Sequence, residues 1–346
     1  MIRIAVDAMG GDNAPGAVVE GCLMALRERA DISVALTGQT GVIEPLLADA
    51  GALRERIDII EAPDVISMHE HPAMAVRRKP NSSLVKALDA VKHGEAQACV
   101  SAGSTGALLT GGIFRVGRIK GIDRPALASV IPSTARPYLL LDCGANADCR
   151  PEYLVQFALM GSVYMEKVKG YANPRVALVN IGAESEKGNE LSKAAYALLA
   201  KSNLNFTGNI EPRDIPAGAA DVVVADGFTG NVVLKLTEGL ASMLMGMIKT
   251  ELMSTTVTKL GAALAKPAFR NVKKRMDYTE EGGAPLLGVR GAVIKAHGSS
   301  NATAIKNALY QAARMVEGDI VNIIETQLSA LAAAQPDAHA TDKEDG

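Results

Sequence analysis

At 346 residues, 48% hydrophobic and 21% charged, the chain has the balance of a soluble protein and enough length for two lobes, each with its own core. A formal net charge of -2 excludes broad electrostatic binding of nucleic acid, and 3% aromatic residues with no tryptophan exclude base-stacking platforms. The four cysteines, Cys22, Cys99, Cys143 and Cys149, form no CxxC pair and no His/Cys group with zinc-ligand spacing, so they read as reduced thiols of a cytosolic protein.

Residues 2–6 open the chain as a strand with no signal peptide ahead of it. Further short β-rich runs are expected as strands at 33–37, 57–60, 98–100, 126–131, 138–141, 175–179, 205–207 and 221–225. Several are nearly all apolar, the pattern of parallel strands covered on both faces. Helix-length segments fill the intervals at 17–29, 42–50, 83–93, 105–114, 153–169, 191–200 and 231–253. Such alternation predicts an α/β protein, a three-layer α/β/α sandwich with right-handed crossovers. Residues 303–333 are expected to be helical throughout, and 334–346 form a polar tail expected to be disordered. A lobe boundary is expected near 121–125, with the chain returning after 278. The lobes are then 1–124 with 279–333, and 125–278. No uninterrupted apolar run approaches the roughly 18–20 residues that span a bilayer.

Glycine-bearing loops follow the predicted strands, where open α/β sheets bind ligands. The first, Asp7-Ala-Met-Gly10-Gly11-Asp12-Asn13, reads either as a strand-to-helix turn capped by Asn13 or as a backbone nest for an anion. The second carries Ser101, Gly103, Ser104, Thr105 and Gly106 ahead of an apolar helix. Its hydroxyls and unpartnered N–H groups suit an anion beyond what one helix cap requires. A third holds Asp142, Gly144 and Asn146. The fourth, from Asn180 to Asn189, delivers Lys187 and flexible glycine backbone to one spot. A fifth, Asp226-Gly-Phe-Thr-Gly-Asn231, opens a long apolar helix, with Asn231 as cap or as donor to a carbonyl or phosphate oxygen. Residues 282–288 offer glycine turns, and His297-Gly-Ser-Ser300 follows.

Pro72 forbids a helix that would regroup His69, Glu70 and His71, so no metal is expected there. The sequence has no Gly-x-Ser-x-Gly elbow, no Cys/His pair that can be nominated, no GxxxxGK[ST] loop and no GxGxxG fingerprint. With no side chain standing out as a covalent nucleophile beside its base, the substrate anion itself is expected to attack.

Taken in order, the segments 7–12, 101–107, 142–146, 180–189, 226–235, 282–288 and 297–300 resemble the phosphate acyltransferase family of bacterial phospholipid synthesis, the PlsX type. One departure is Ser104, where that family usually carries asparagine. The resemblance implies an isocitrate/isopropylmalate dehydrogenase-like fold of two lobes with the site in the cleft, and a homodimer. It also implies a reaction without cofactor or metal. Inorganic phosphate attacks the thioester of a fatty acyl group on acyl carrier protein, giving acyl phosphate.

By resemblance and by chemistry, Lys187 is expected to offset negative charge and Asn231 to donate to phosphate or the thioester carbonyl. Ser101, Ser104, Thr105 and Asn146 form the expected cradle, with Asp12, Asn13, Asp226 and His297 as further substrate-binding or orienting groups. The apolar stretch 240–253, rich in methionine, is followed by Lys259, Lys266, Arg270, Lys273, Lys274 and Arg275. It reads equally as dimer packing and as a peripheral contact with anionic membrane, where a downstream membrane acyltransferase would take the product. The rival readings are a phosphotransacetylase or phosphotransbutyrylase using coenzyme A thioesters, a metal-dependent dehydrogenase, and a non-catalytic scaffold that docks carrier protein.

Overall fold

A computed structural model of the protein describes residues 1–276 and 281–333, without the side chains of 273–276 and 331–333. The expected tail and the expected point of return near residue 278 lie outside the described residues, as do the side chains of Lys273, Lys274 and Arg275.

In chain order, β1 (Ile2–Asp7) leads to α1 (Gly16–Glu28), β2 (Ile32–Gly38), the short α2 (Thr40–Ile43) and β3 (Ile57–Glu61). Next come α3 (Pro72–Arg78), α4 (Ser83–Lys92), β4 (Ala98–Ser101) and α5 (Thr105–Gly111), the last continued by a π-helical turn over 112–116. β5 (Ala126–Ile131) and β6 (Tyr138–Leu141) precede α6 (Pro151–Lys167), β7 (Val176–Val179), α7 (Glu190–Leu199), β8 (Phe206–Ile210) and β9 (Val222–Val224). Two long helices follow, α8 (Gly227–Leu252) and α9 (Thr256–Met276). β10 (Ala284–Leu287), β11 (Ala292–Lys295), α10 (Ala302–Glu317) and α11 (Ile320–Ala333) complete the order.

The described strands form one mixed sheet in the order β3-β2-β1-β4-β11-β10-β5-β6-β9-β7-β8. Alternation along each strand divides its side chains between two faces. Ile4, Val6, Leu139, Leu141, Val222 and Val224 join one continuous core with the buried sides of α1, α6 and α10. On the other face, Ala5 and Cys99 pack under α4 and α5, while Tyr138, Leu140 and Val223 form a separate cluster with Val233 and Leu234 of α8. One face is thus a single core and the other is split in two.

His69, Glu70 and His71 stand outside any helix, as expected, and Pro72 opens α3 at the first-turn position where proline's missing N–H costs nothing. Four expectations are corrected. Residues 42–50 do not form one helix, because Pro45 turns the chain from α2 into a short 3-10 segment over Glu44–Leu47. Residues 282–288 are not all turn, since β10 lies there and β11 follows. In β10, pairing with β5 covers only Leu286 and Leu287, beyond Pro285. α9 continues the apolar hairpin past residue 253. The last helix is broken at Gly318 and Asp319, the latter at φ 49°, a left-handed conformation that aspartate tolerates.

Candidate active site

Parallel pairing aligns Val6 with Val100 and Ser101 with Lys295, so the loops after β1, β4 and β11 emerge side by side. The buried Asp7 carboxylate accepts from the Ser101 hydroxyl at 2.6 Å and from the Met9 N–H at 3.3 Å. Burial pushes its pKa up, against the pull of those hydrogen bonds and of Lys295. The Ser101 oxygen also accepts from Gly103 N–H at 3.0 Å, so this hydroxyl is committed to shaping the loop. At Gly10 a Cβ would lie 2.4 Å from Asp7 Oδ2 and 2.8 Å from Gly103 N, which leaves room for glycine alone.

Asp12 N–H donates to Gly298 C=O at 2.8 Å, and Asn13 Nδ2 donates to the carbonyls of Ser299 and Ser300, each at 3.2 Å. Asn13 therefore ties the first loop to the last and does not cap α1, whose preceding residue is Pro15. Ser104 caps α5, its hydroxyl accepting from Ala107 N–H at 3.4 Å, and Thr105 is the first helical residue. His297 is exposed, with Nδ1 2.8 Å from the Ser299 hydroxyl.

Within this group sits a residue that sequence reasoning passed over. Lys295 is buried at 7% exposure, its ammonium donating to Ala296 C=O and, at 3.4 Å, to Ala102 C=O. Burial lowers its pKa to about 8; Asp7 and Asp12 oppose the shift, and Lys235 adds to it. The signal was a lysine ending an otherwise apolar run, Ala292-Val-Ile-Lys295.

The second group lies after β6 and β9. Buried Asp142 accepts from the N–H groups of Leu127 (3.0 Å), Ala145 (3.1 Å) and Asn146 (2.7 Å) and from the Asn146 amide (3.0 Å). Burial raises its pKa, partly offset by these donors. Asn146 Nδ2 also donates to Pro125 C=O at 2.8 Å, and its carbonyl accepts from Gly227 N–H at 2.7 Å. Asp226 caps α8, accepting from both the N–H and the hydroxyl of Thr229 at 2.8 Å.

α8 therefore starts four residues earlier than expected, and Asn231 is an exposed residue of its second turn rather than its cap. The Asn231 side chain faces Gly144, whose hypothetical Cβ would lie 3.5 Å from Oδ1. No side-chain hydrogen bond engages this amide among the described residues. One turn further, Lys235 pairs with Glu238 at 2.9 Å, and its field reaches both Cys143 and Lys295.

The loop carrying Lys187 is a third group. Asn180 Nδ2 donates to Lys187 C=O at 3.0 Å, Lys187 N–H donates to Glu184 C=O at 3.2 Å, and Asn209 Nδ2 donates to Glu184 C=O at 2.8 Å. A Cβ on Gly188, which sits at φ 94°, would fall 2.1 Å from Ser192 Oγ and 2.4 Å from Asn180 Oδ1. The Lys187 ammonium is exposed, and no hydrogen bond or ion pair joins this loop to either other group among the described residues.

Sheet polarity divides the loops between the two ends of the strands. β11–β10, β10–β5 and β5–β6 are antiparallel, and three reversals turn the second half of the sheet over. Asp12, Ser101, Ser104, Thr105 and His297 lie at one end of the strands. Asn146, Lys187 and Asp226 lie at the other. α8 links the ends, starting beside Asn146 and bringing Lys235 within electrostatic reach of Lys295. The frame is thus a large mixed sheet with polar, glycine-bearing loops at both ends of its strands.

Solved structures share that frame. A phosphotransacetylase from Streptococcus pyogenes superposes with a TM-score of 0.63 at 18% identity, covering 91% of this chain and 94% of that one. A phosphotransacetylase from Staphylococcus aureus gives 0.61 at 16% identity, with 91% and 94% covered. At such identities the likeness defines the mixed α/β fold and its large central sheet.

A family model described as fatty acid synthesis protein matches residues 2–323, and the chain belongs to that family. It is 53% identical to a protein named phosphate acyltransferase from Clostridium acetobutylicum, over 95% of this chain and 99% of that one. A phosphate acyltransferase from Clostridium perfringens is 52% identical over 95% of this chain and 97% of its own length.

Proposed function

We propose that this chain is an enzyme that moves a fatty acyl group from acyl carrier protein to inorganic phosphate, giving acyl phosphate for phospholipid synthesis. The carrying observation is the Lys295 ammonium, buried where the loops after β1, β4 and β11 meet and within electrostatic reach of Lys235 of α8. An anion bound beside it turns the cost of that buried charge into attraction.

Phosphate seated there is already a nucleophile at neutral pH. Its oxygen forms a bond to the thioester carbon, the C–S bond breaks with its electron pair leaving on sulfur, and a phosphate proton ends on the carrier thiol. A leaving thiol with pKa of about 8.5 needs no strong acid. The protein's task is positioning and support of the oxyanion. Positioning is worth roughly 7–11 kcal/mol and one oxyanion donor about 2.7–4 kcal/mol. Asn231, with its amide uncommitted to the fold, is the donor to the thioester oxygen. Lys187 offsets charge on the approaching donor, and Ser104, Thr105 and His297 line the phosphate side. Asp12, Asn13, Ser101, Asn146 and Asp226 hold the loops that present these groups.

The same reading takes the molecule as a three-layer α/β/α sandwich of two lobes, 1–124 with 279–333 and 125–278, like isocitrate and isopropylmalate dehydrogenases, with the site in the cleft. The return of β10 and β11 beside β4 and the split core on one face support it. It further takes the protein as a cytoplasmic homodimer in peripheral contact with anionic membrane, passing acyl phosphate to a membrane acyltransferase. Exposed Leu240, Met243, Leu244, Met247, Leu260 and Leu264 on α8 and α9 support that part.

Acyl phosphate formation is to be measured with phosphate and either acyl carrier protein or coenzyme A thioesters. The carrier donor is expected to be preferred, and Lys187→Ala and Asn231→Ala are expected to abolish turnover while melting like wild type. Preference for the coenzyme A donor would give the phosphotransacetylase reading. Absence of product with either donor would leave the scaffold reading.

A further inference from the structure

We propose that the surface pocket between the π-helical turn at 112–116 and the start of α6 docks the acyl carrier protein, receiving an acidic helix with one apolar side chain at its centre. The inference rests on the carrier-protein reading above and adds the face on which the carrier lands. The pocket encloses about 430 Å³ and is lined by Phe114, Arg118, Asp123, Arg124, Pro125 and Tyr153 among others.

Phe114, which lines the pocket, is 74% exposed and presents its ring to solvent there. Arg118 and Arg124 are exposed beside it. Asp123, the acid of the lining, is held by Gln156, whose Nε2 donates to its carboxylate at 2.8 Å while Asp123 N–H donates to Gln156 Oε1 at 2.9 Å. Arg118 donates to the Asp123 carbonyl. Arg124 has no hydrogen bond or ion pair among the described residues. An aromatic anchor ringed by arginines, one of them uncommitted, is complementary to carboxylates around an apolar side chain.

Position selects the carrier over other acidic partners. The Pro125 carbonyl at the pocket wall accepts the hydrogen bond from Asn146, whose own carbonyl holds the first turn of α8. A carrier seated on Phe114 therefore delivers its thioester arm past Asn146 toward Asn231. The membrane-type apolar surface belongs to α8 and α9, so the two partners use different faces.

The test compares wild type, Arg124→Glu and Phe114→Ala in steady-state kinetics with acyl carrier protein and with a truncated acyl-pantetheine thioester. Each variant is expected to raise KM for the carrier donor by about tenfold or more, the equivalent of about 1.4 kcal/mol. kcat and the KM for phosphate should be unchanged, and the truncated donor should be used as well as by wild type. The carrier KM of wild type should also rise with salt, and that of Arg124→Glu should rise less.

Wild-type carrier KM in both variants overturns the proposal, as does an equal loss with the truncated donor. A change of oligomeric state in sedimentation of either variant assigns the pocket to a second copy of the chain and also overturns it. A wild-type enzyme that uses coenzyme A thioesters but never the carrier defeats the underlying reading, an outcome distinct from unaltered docking kinetics.

Discussion

At the scale of the residue, Lys295 is a cation held almost wholly out of water, at 7% exposure. Burial holds its folded pKa at about 8, below the ordinary 10.5 it regains on unfolding. Below pH 8 both states keep the proton and the buried charge costs its full penalty, on the order of 3 kcal/mol. Between pH 8 and 10.5 the unfolded chain holds more protons, so wild type gains stability as pH rises. Denaturant melts across that window should show wild type gaining on Lys295→Met; parallel curves would remove the shifted lysine. In the same variant, kcat/KM for phosphate should lose the decline above pH 8 that wild type is expected to show. Ser101 teaches the opposite lesson. Its hydroxyl looked free for substrate in a run of hydroxyls, but Asp7 and Gly103 occupy it.

At the scale of the element, α8 runs for about 39 Å and its two ends have different surroundings. Its first turn is locked to the second group, since a Cβ on Gly230 would fall 1.9 Å from Asp142 O. Its length and mean hydropathy are those of a helix able to cross a bilayer, although Lys235 and Glu238 interrupt it. Beyond them the helix leaves the sheet. With α9 it borders an open groove of about 630 Å³ whose lining includes Met245, Ile248 and Phe269 as well as Lys249, Lys266 and Arg270. Apolar faces edged by cations suit the interface of an anionic bilayer. Flotation with vesicles containing anionic lipid should carry wild type upward and leave Leu244→Asp with Met247→Asp behind. If wild type stays at the bottom at low salt, the membrane contact is discarded and packing between two copies is left to explain the exposed face.

At the scale of the whole molecule, the proposed phosphate seat draws on parts far apart in the chain. Lys295 ends β11 and Lys235 lies on α8, which packs against the half of the sheet running in the opposite sense, so phosphate bound as proposed should stabilise the folded chain as a unit. At 100 times Kd the gain is about 2.7 kcal/mol, a melting rise of roughly 4 °C. Calorimetry should find that rise in wild type and lose most of it in Lys235→Ala and in Lys295→Met. The losses in the double variant should fall short of additive, because both ammonium groups contact one ligand. An undiminished rise in both single variants would place phosphate elsewhere.

Local physics was legible in the chain. The apolar runs at 2–6, 98–100 and 138–141 became strands, and Ser104 capped its helix, because pleat, period and capping are decided within a few residues. The order of the glycine-bearing loops was legible too, and with it the family. Strand polarity was not. Three antiparallel pairings, two of them made by a short strand containing Pro285, set which loops share an edge, and pairing partners lie far apart in sequence. For the same reason Lys295 looked like one more charge after an apolar run. Its burial and its approach to Lys235 exist once β11 has paired with β4 and α8 has crossed the sheet, long-range contacts that no local window contains.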